Sequence, residues 1–482
     1  GRSGERSRNS HTSSLLPQLS ICWLMNERTG DTPRVQASSS EIFGEPRETP
    51  QTEETVDVED LISRGGVPPI TLIAPAYNEE ATCVESVRAL LTLRYPDYEV
   101  VVVNDGSKDA TVQRLVEAYE MEEAVRLPTA QLPTARVRAV YHSRRHANLW
   151  LIDKENGGKA DALNSGVNYC RSPYFCGMDA DTLLERDALI RVIRPFLEDD
   201  ATIAAGGIIR IVNGCRVEHG SVKEVRMPDS WLARFQVIEY LRAFLGGRMG
   251  WDALDAMLII SGAFGIFKRA IVVDVGGYWT ETVGEDMELV VRLHRHCREN
   301  DIRYKVAFVP DPVAWTECPE SRLILGRQRD RWQRGLYQTL TRHHVMLFNR
   351  RYGRVGLVAF PYFYFLELFG PAVELIGYIT FAIAIVTGHI DALFASAFLM
   401  VAFAFGLALS VVAVGLEELT FRRYSRFRDL FLLLLIAVVE NFGYRQINAY
   451  WRIRGLLSAK RQNKGWGTMV RKGFQPPAAP KG

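Results

Sequence analysis

Five short groups of residues carry the side chains that could do chemistry. Pro75-Ala76-Tyr77-Asn78-Glu79 closes one apolar run, and Asn104-Asp105-Gly106-Ser107 closes the next. A carboxylate at a strand end can accept hydrogen bonds from a base N–H or a ribose hydroxyl, and Tyr77 can cover a ring. The same Asn-Asp-Gly-Ser string makes a good turn with no function attached. Met178-Asp179-Ala180-Asp181-Thr182 follows a strand-like stretch over 174–178. Two aspartates at i and i+2 can converge on a hard divalent cation, Mg2+ or Mn2+, whose remaining ligands come from a diphosphate and water. Such an ion would offset charge building on a departing nucleotide diphosphate. An isolated Asp-x-Asp is common, and a solvated acidic loop reads the same way.

Gly157-Gly158-Lys159 precedes an amphipathic run over 160–167. A glycine pair lets backbone approach a ligand closely, and the lysine can meet a phosphate or a base carbonyl. The spacing is not that of a P-loop, and a plain helix start with a solvated lysine fits equally well. Gly284-Glu285-Asp286 opens a helix over 287–296. A carboxylate there can complement the helix dipole, or it can take a proton from a sugar hydroxyl as a general base. Gln328-Arg329-Asp330-Arg331-Trp332 sits on a basic helix. It offers an amide, a guanidinium and an indole for a sugar plane and a diphosphate, although arginines before a membrane segment also attract anionic headgroups. A Gln-x-x-Arg-Trp match arises by chance in roughly one chain of this length in a hundred, which makes it the most specific of the five.

The elements that must position these groups alternate. Ile70-Thr71-Leu72-Ile73-Ala74 reads as a buried strand, 80–93 as a helix, 98–103 as a second strand and 111–120 as a second helix. That alternation predicts an α/β domain with a mostly parallel sheet, whose ligands sit beyond the carboxyl ends of the strands. The character changes after about residue 345. Stretches over 365–387 and 392–416 are each long enough to cross a hydrocarbon core. Glu367 and Glu374 in the first are expensive in lipid and predict a face turned to protein or a polar cavity. A third apolar run, 430–439, is short, and the basic loop 422–428 favours the cytoplasm. The expected layout is a disordered lead-in over 1–60, a catalytic domain over 61–345, a membrane region over 346–451 with two to three spans, and a basic tail over 452–482.

Composition fits a folded chain of two or three domains: 482 residues, 47% hydrophobic and 24% charged. A formal net charge of +2 announces neither nucleic acid nor an acidic polymer as partner. The seven cysteines (Cys22, Cys83, Cys170, Cys176, Cys215, Cys297, Cys318) are scattered without a Cys-x-x-Cys pair, which predicts reduced thiols and not a disulfide framework.

Together and in this order, the five groups resemble the inverting, processive family 2 glycosyltransferases, which include cellulose, chitin, hyaluronan and poly-N-acetylglucosamine synthases. The resemblance covers about residues 68–340 and implies a GT-A fold, a UDP-sugar donor and a divalent metal. By motif it implies that Asp105 meets the donor nucleoside, with Tyr77 and Glu79 lining the same pocket; Lys159 is taken with them as a donor-binding residue. Asp179 and Asp181 match the metal-binding pair, Asp181 as the more direct ligand. Asp286, beside Glu285, matches the general base of Thr-Glu-Asp, with Gly284 in place of the usual Thr. Gln328, Arg331 and Trp332 match the element near acceptor and diphosphate. The implied reaction is a single displacement extending a β-linked polysaccharide at the cytoplasmic face of the cell membrane, with a glycan or lipid-linked acceptor and room for an accessory subunit. Rival readings are single-sugar addition to a lipid, a silent nucleotide-binding sensor, and a transporter, which two or three spans rarely make.

Overall fold

Runs of apolar and β-branched residues give the sheet its strands. They are β1 (Ile70–Ala76), β2 (Tyr98–Asp105), β3 (Met121–Glu123), β4 (Val137–Ser143), β5 (Leu149–Lys154), β6 (Tyr174–Met178), β7 (Leu183–Leu184), β8 (Thr202–Ile211), β11 (Phe264–Lys268) and β12 (Lys305–Thr316), with β9 (Arg216–Glu218) and β10 (Ser221–Glu224) forming a separate hairpin. The computed structural model describes residues 66–218, 220–421, 424 and 427–459, all within one compact unit, Val56–Gly482. The expected lead-in, Cys22, most of the basic loop and the tail from 460 lie outside the described residues.

The main sheet runs β3-β4-β5-β2-β1-β6-β11-β8-β12-β7. The expectation of a mostly parallel sheet is corrected to a mixed one. Four neighbouring pairs are parallel (β1–β2, β1–β6, β2–β5, β8–β12) and five are antiparallel (β3–β4, β4–β5, β6–β11, β8–β11, β7–β12). The reason is insertion of β11 between β6 and β8, and of β4 beside β5, each against the common direction. The parallel centre, β5-β2-β1-β6, is what the strand–helix alternation reported. In β8 all ten residues are buried, as expected of a strand covered on both faces. Of the described cysteines, Cys83, Cys170, Cys176, Cys297 and Cys318 are buried free thiols and Cys215 is half-buried.

Antiparallel β11 has a consequence for the site. Phe264 pairs with Met178, so the chain entering β11 arrives at the same edge where β6 ends. That edge also collects the ends of β1, β2 and β5, as open α/β sheets do at their binding crevice.

After the sheet come apolar helices. Ala392–Thr420 is long and apolar enough to cross a membrane. Val355–Leu368 and Gly370–Val386 meet at a 46° bend, and Phe427–Val439 and Tyr444–Ser458 at 60°; each pair passes the same test if counted as one span. The first bend falls where a π-helical turn, Phe363–Leu368, meets Gly370-Pro371, since proline cannot continue the hydrogen-bond ladder. Glu367 and Glu374 do turn to protein: Arg452 Nη2 lies 3.1 Å from Glu367 and Arg445 Nε 3.4 Å from Glu374. The helix carrying both arginines crosses the boundary expected at 451 and runs to Ser458.

Candidate active site

The loop after β1 is stitched to the loop after β2. Asn78 adopts a left-handed φ of 55°; its N–H donates to Ser107 Oγ (2.9 Å), and its side chain accepts from Lys108 N–H (2.8 Å). Glu79 N–H donates to Thr111 Oγ1 (2.9 Å) and its carboxylate accepts from Thr82 (2.8 Å). Tyr77, 45% exposed, stands open on this loop, where a flat ligand ring could lie against it.

Asp105 is buried at the end of β2. Oδ1 accepts from Lys154 Nζ (2.7 Å) and Gly157 N–H (2.9 Å); Oδ2 accepts from Gly158 N–H (2.7 Å) and Asn156 Nδ2 (3.1 Å). A carboxylate offers about four acceptor positions, and through these four bonds Asp105 organises the 156–158 loop. Lys154 is fully buried and also meets Asp161 at 2.5 Å. Sequence reasoning missed this lysine. Its signal was a cation at the end of the apolar run Leu149-Trp150-Leu151-Ile152.

Gly158, at φ +90°, turns the chain into the Lys159–Tyr169 helix and aims Lys159 inward. There Lys159 Nζ meets Asp179 Oδ1 at 2.5 Å and Glu285 Oε1 at 3.2 Å. Burial pulls its pKa down, but Asp179, Glu285 and Asp286 outweigh that and the net shift is upward. Burial pushes Glu285 up, with Lys159 acting against it. Asp181 is pushed up to about 7, first by burial and then by the charge of Asp179. Asp286 is held by backbone: Gly262 N–H donates to Oδ2 (3.0 Å) and Met287 N–H to Oδ1 (2.8 Å). Leu163, Gly177, Phe267 and Tyr278 floor a cavity walled by Lys159, Gly262, Glu285 and Asp286.

Gln328, Arg331 and Trp332 lie on the Arg322–Arg342 helix. The Gln328 carboxamide oxygen is buried without a hydrogen-bond partner among the described residues, Arg331 acts electrostatically on Glu285, and Trp332 is 41% exposed. This helix touches the loop before Glu285. Gln338 Oε1 accepts from Thr282 Oγ1 (3.0 Å) and Val283 N–H (3.1 Å). The structure therefore brings Lys159, Asp179, Asp181, Glu285, Asp286 and Arg331 to one centre, and leaves Asp105 and the Tyr77–Glu79 loop at the ends of β2 and β1 on the same sheet edge.

The chain belongs to glycosyltransferase-like family 2, whose model matches residues 68–335. Family membership and the mixed sheet make this a GT-A-like domain. A poly-beta-1,6-N-acetyl-D-glucosamine synthase of Staphylococcus aureus (strain COL) is 28% identical over 274 residues, 57% of this chain and 56% of that protein. A synthase of the same name from Staphylococcus epidermidis is 27% identical over the same span. The chain thus spans about half the length of the curated relatives it matches. Among solved structures, a mannosyltransferase of Pyrobaculum calidifontis in complex with GDP-Man and Mn2+ is similar, with a TM-score of 0.49 and 20% identity over 78% of this chain and 88% of that one.

Proposed function

We propose that this glycosyltransferase is membrane-bound, faces the cytoplasm, and transfers a sugar from a UDP-sugar to a growing β-linked polysaccharide. The observation that carries the reading is the Lys159 hub, which draws Asp179 and Glu285 together beside a backbone-held Asp286. The named synthase relatives and the apolar helices after the catalytic domain support it.

In this reading Asp286 takes the proton of an acceptor hydroxyl as that oxygen attacks the anomeric carbon, and the bond to the UDP oxygen breaks. One displacement inverts the centre, so an α-linked donor yields a β-linkage. The two backbone N–H groups fix the orientation of Asp286 and leave each oxygen a free lone pair. Asp179 and Asp181 are hard oxygen donors at one strand end, and crowded negative charge there suits Mg2+ or Mn2+. When bound, such an ion would offset charge on the leaving diphosphate. Arg331 and Lys159 add positive charge, Tyr77 and Glu79 line the nucleoside side, and Asp105 serves it through the 156–158 loop. Gln328 and Trp332 face the acceptor.

The test is UDP release from a panel of UDP-sugars by the membrane-inserted chain with Mg2+ or Mn2+, with Asp286→Asn as control and the product sized. Turnover with one sugar, lost in Asp286→Asn, is the expected result. A short product would favour single addition to a lipid, and UDP binding without turnover would favour the sensor. Unchanged turnover in Asp286→Asn would remove Asp286 as the base.

A further inference from the structure

The helix that carries Gln328, Arg331 and Trp332 is fastened along one stripe to the stretch that leads into Glu285-Asp286. Arg331, Gly335, Gln338 and Arg342 are spaced four, three and four residues apart on the Arg322–Arg342 helix, which puts them on one face. Their contacts run down the other stretch in reverse order. Arg331 acts on Glu285, and Gly335 lies against the backbone of Gly284. Gln338 holds Thr282 and Val283, and the Arg342 guanidinium lies 3.8 Å over the ring of Trp279. The two segments are therefore in register, and a slip of one would displace every pair.

Gln338 supplies the directional part of that register. Val283 N–H can only donate, so the amide has to present its oxygen. Oε1 accepts from Val283 N–H (3.1 Å) and from Thr282 Oγ1 (3.0 Å). Thr282 is buried, and its hydroxyl in turn accepts from Gly284 N–H (3.2 Å). Gly284 O then accepts from Glu288 N–H (3.0 Å) in the first turn of the Glu285–Glu299 helix. One amide oxygen thus fixes Thr282, Val283 and Gly284. Past Asp286, Glu288 meets His343 (3.2 Å) and Arg342 (3.4 Å), so the same partner holds the chain before and after the base. Without Gln338 the helix is free to pivot about its Glu288 end, which would carry Asp286 away from the Gly262 N–H that orients it (3.0 Å).

We propose that Gln338 is a positioning residue for the transfer step: its carboxamide oxygen sets where Asp286 stands relative to the helix of Arg331 and Trp332. It acts through Thr282 and Val283 and not on the substrate. The inference rests on the transferase reading, in which Asp286 is the base.

The experiment uses the full chain with UDP-N-acetylglucosamine and a short β-1,6-linked N-acetylglucosamine oligosaccharide as acceptor. Gln338→Met keeps the length of the side chain and removes the accepting oxygen. Its kcat is expected to fall about 10- to 100-fold, the cost of moving a catalytic group by up to about 1 Å. The UDP Kd, read by calorimetry, should stay within about twofold. Gln338→Glu accepts the same two hydrogen bonds and should recover most of the loss, which a residue that only fills space would not show. An unchanged kcat in Gln338→Met would overturn the proposal, and so would a UDP Kd weakened as much as kcat, or a Gln338→Glu variant as slow as Gln338→Met. If Gln338→Met binds no UDP because it fails to fold, Thr282→Val against Thr282→Ser gives the same readings from the other end of the bond. A wild-type chain that binds UDP but transfers to no acceptor fails the transferase reading itself, and full turnover in Asp286→Asn fails the base; the proposal falls with either. A wild type that transfers, beside an inactive Asp286→Asn and an unaffected Gln338→Met, fails the Gln338 assignment alone.

Discussion

Gly284 and Gly335 meet backbone to backbone: a Cβ on Gly284 would lie 2.9 Å from the Cα of Gly335, and one on Gly335 would lie 2.8 Å from the Cα of Gly284. The contact joins the loop that carries Glu285-Asp286 to the helix that carries Gln328, Arg331 and Trp332. It gives a physical reason for glycine at position 284: a side chain there would have to move one motif away from the other.

Gly335→Ala tests that contact. In an exposed helix interior this change stabilises by about 1 kcal/mol. Here overpacking against backbone should reverse the sign and cost about 1–3 kcal/mol. Thermal unfolding of the purified protein decides it, and a raised Tm would mean that the two backbones have room to part.

Lys154 should be indispensable to the fold. Lys154→Met leaves Asp105 and Asp161 buried without their cation, and breaking such a buried set typically costs about 3–5 kcal/mol. UDP affinity should fall too, because Asp105 would lose its hold on the 156–158 loop. A loss of under about 1 kcal/mol in urea unfolding would contradict the burial argument.

Acid should weaken the Glu285–Glu299 helix through His294. Its Nε2–H donates to Met257 O (2.8 Å) and its Nδ1 accepts from Tyr304 (2.9 Å). Burial lowers its pKa from 6.5 to about 4. The folded state therefore keeps it neutral while the unfolded chain takes up a proton below the ordinary value. Its contribution is complete above pH 6.5 and is lost as pH falls toward 4, by about 3 kcal/mol in all. Stability measured from pH 7 to 4 should fall less steeply in His294→Gln; parallel curves would rule His294 out.

Lys159 competes with any cation for Asp179. Lys159→Met should therefore bind Mn2+ more tightly, by about tenfold in the absence of UDP, through loss of a like charge near the pair, while sugar transfer falls. Electron paramagnetic resonance of free Mn2+ reads the affinity. Unchanged or weaker binding would argue that Asp179 is not a ligand.

The sequence was legible where local pattern decides. The strand over 174–178, the helices behind Lys159 and Asp286, and the turns at Asn78 and Gly106 all follow from runs and turn chemistry. Partnership across the fold was not legible. Nothing local says that β11 enters against β6 and delivers Gly262 to Asp286, or that Asp105 is bonded to Gly157 and Gly158. The 156–158 loop is about fifty residues from Asp105, and Gln338 is more than fifty from Thr282. Gly284 looked like a departure from a motif because its reason, Gly335, sits on another helix.

Ion pairs across the fold change how the catalytic part can be handled. Arg210 on β8 meets Glu417 on the long apolar helix at 2.7 Å, Arg242 pairs with Glu440, and Glu239 accepts from Tyr444 (3.0 Å) and Asn448 (2.9 Å). A chain cut near residue 345 would strand these charges on a surface made to be covered. The helices are therefore the cover of that face of the catalytic domain, and the two parts share one buried boundary.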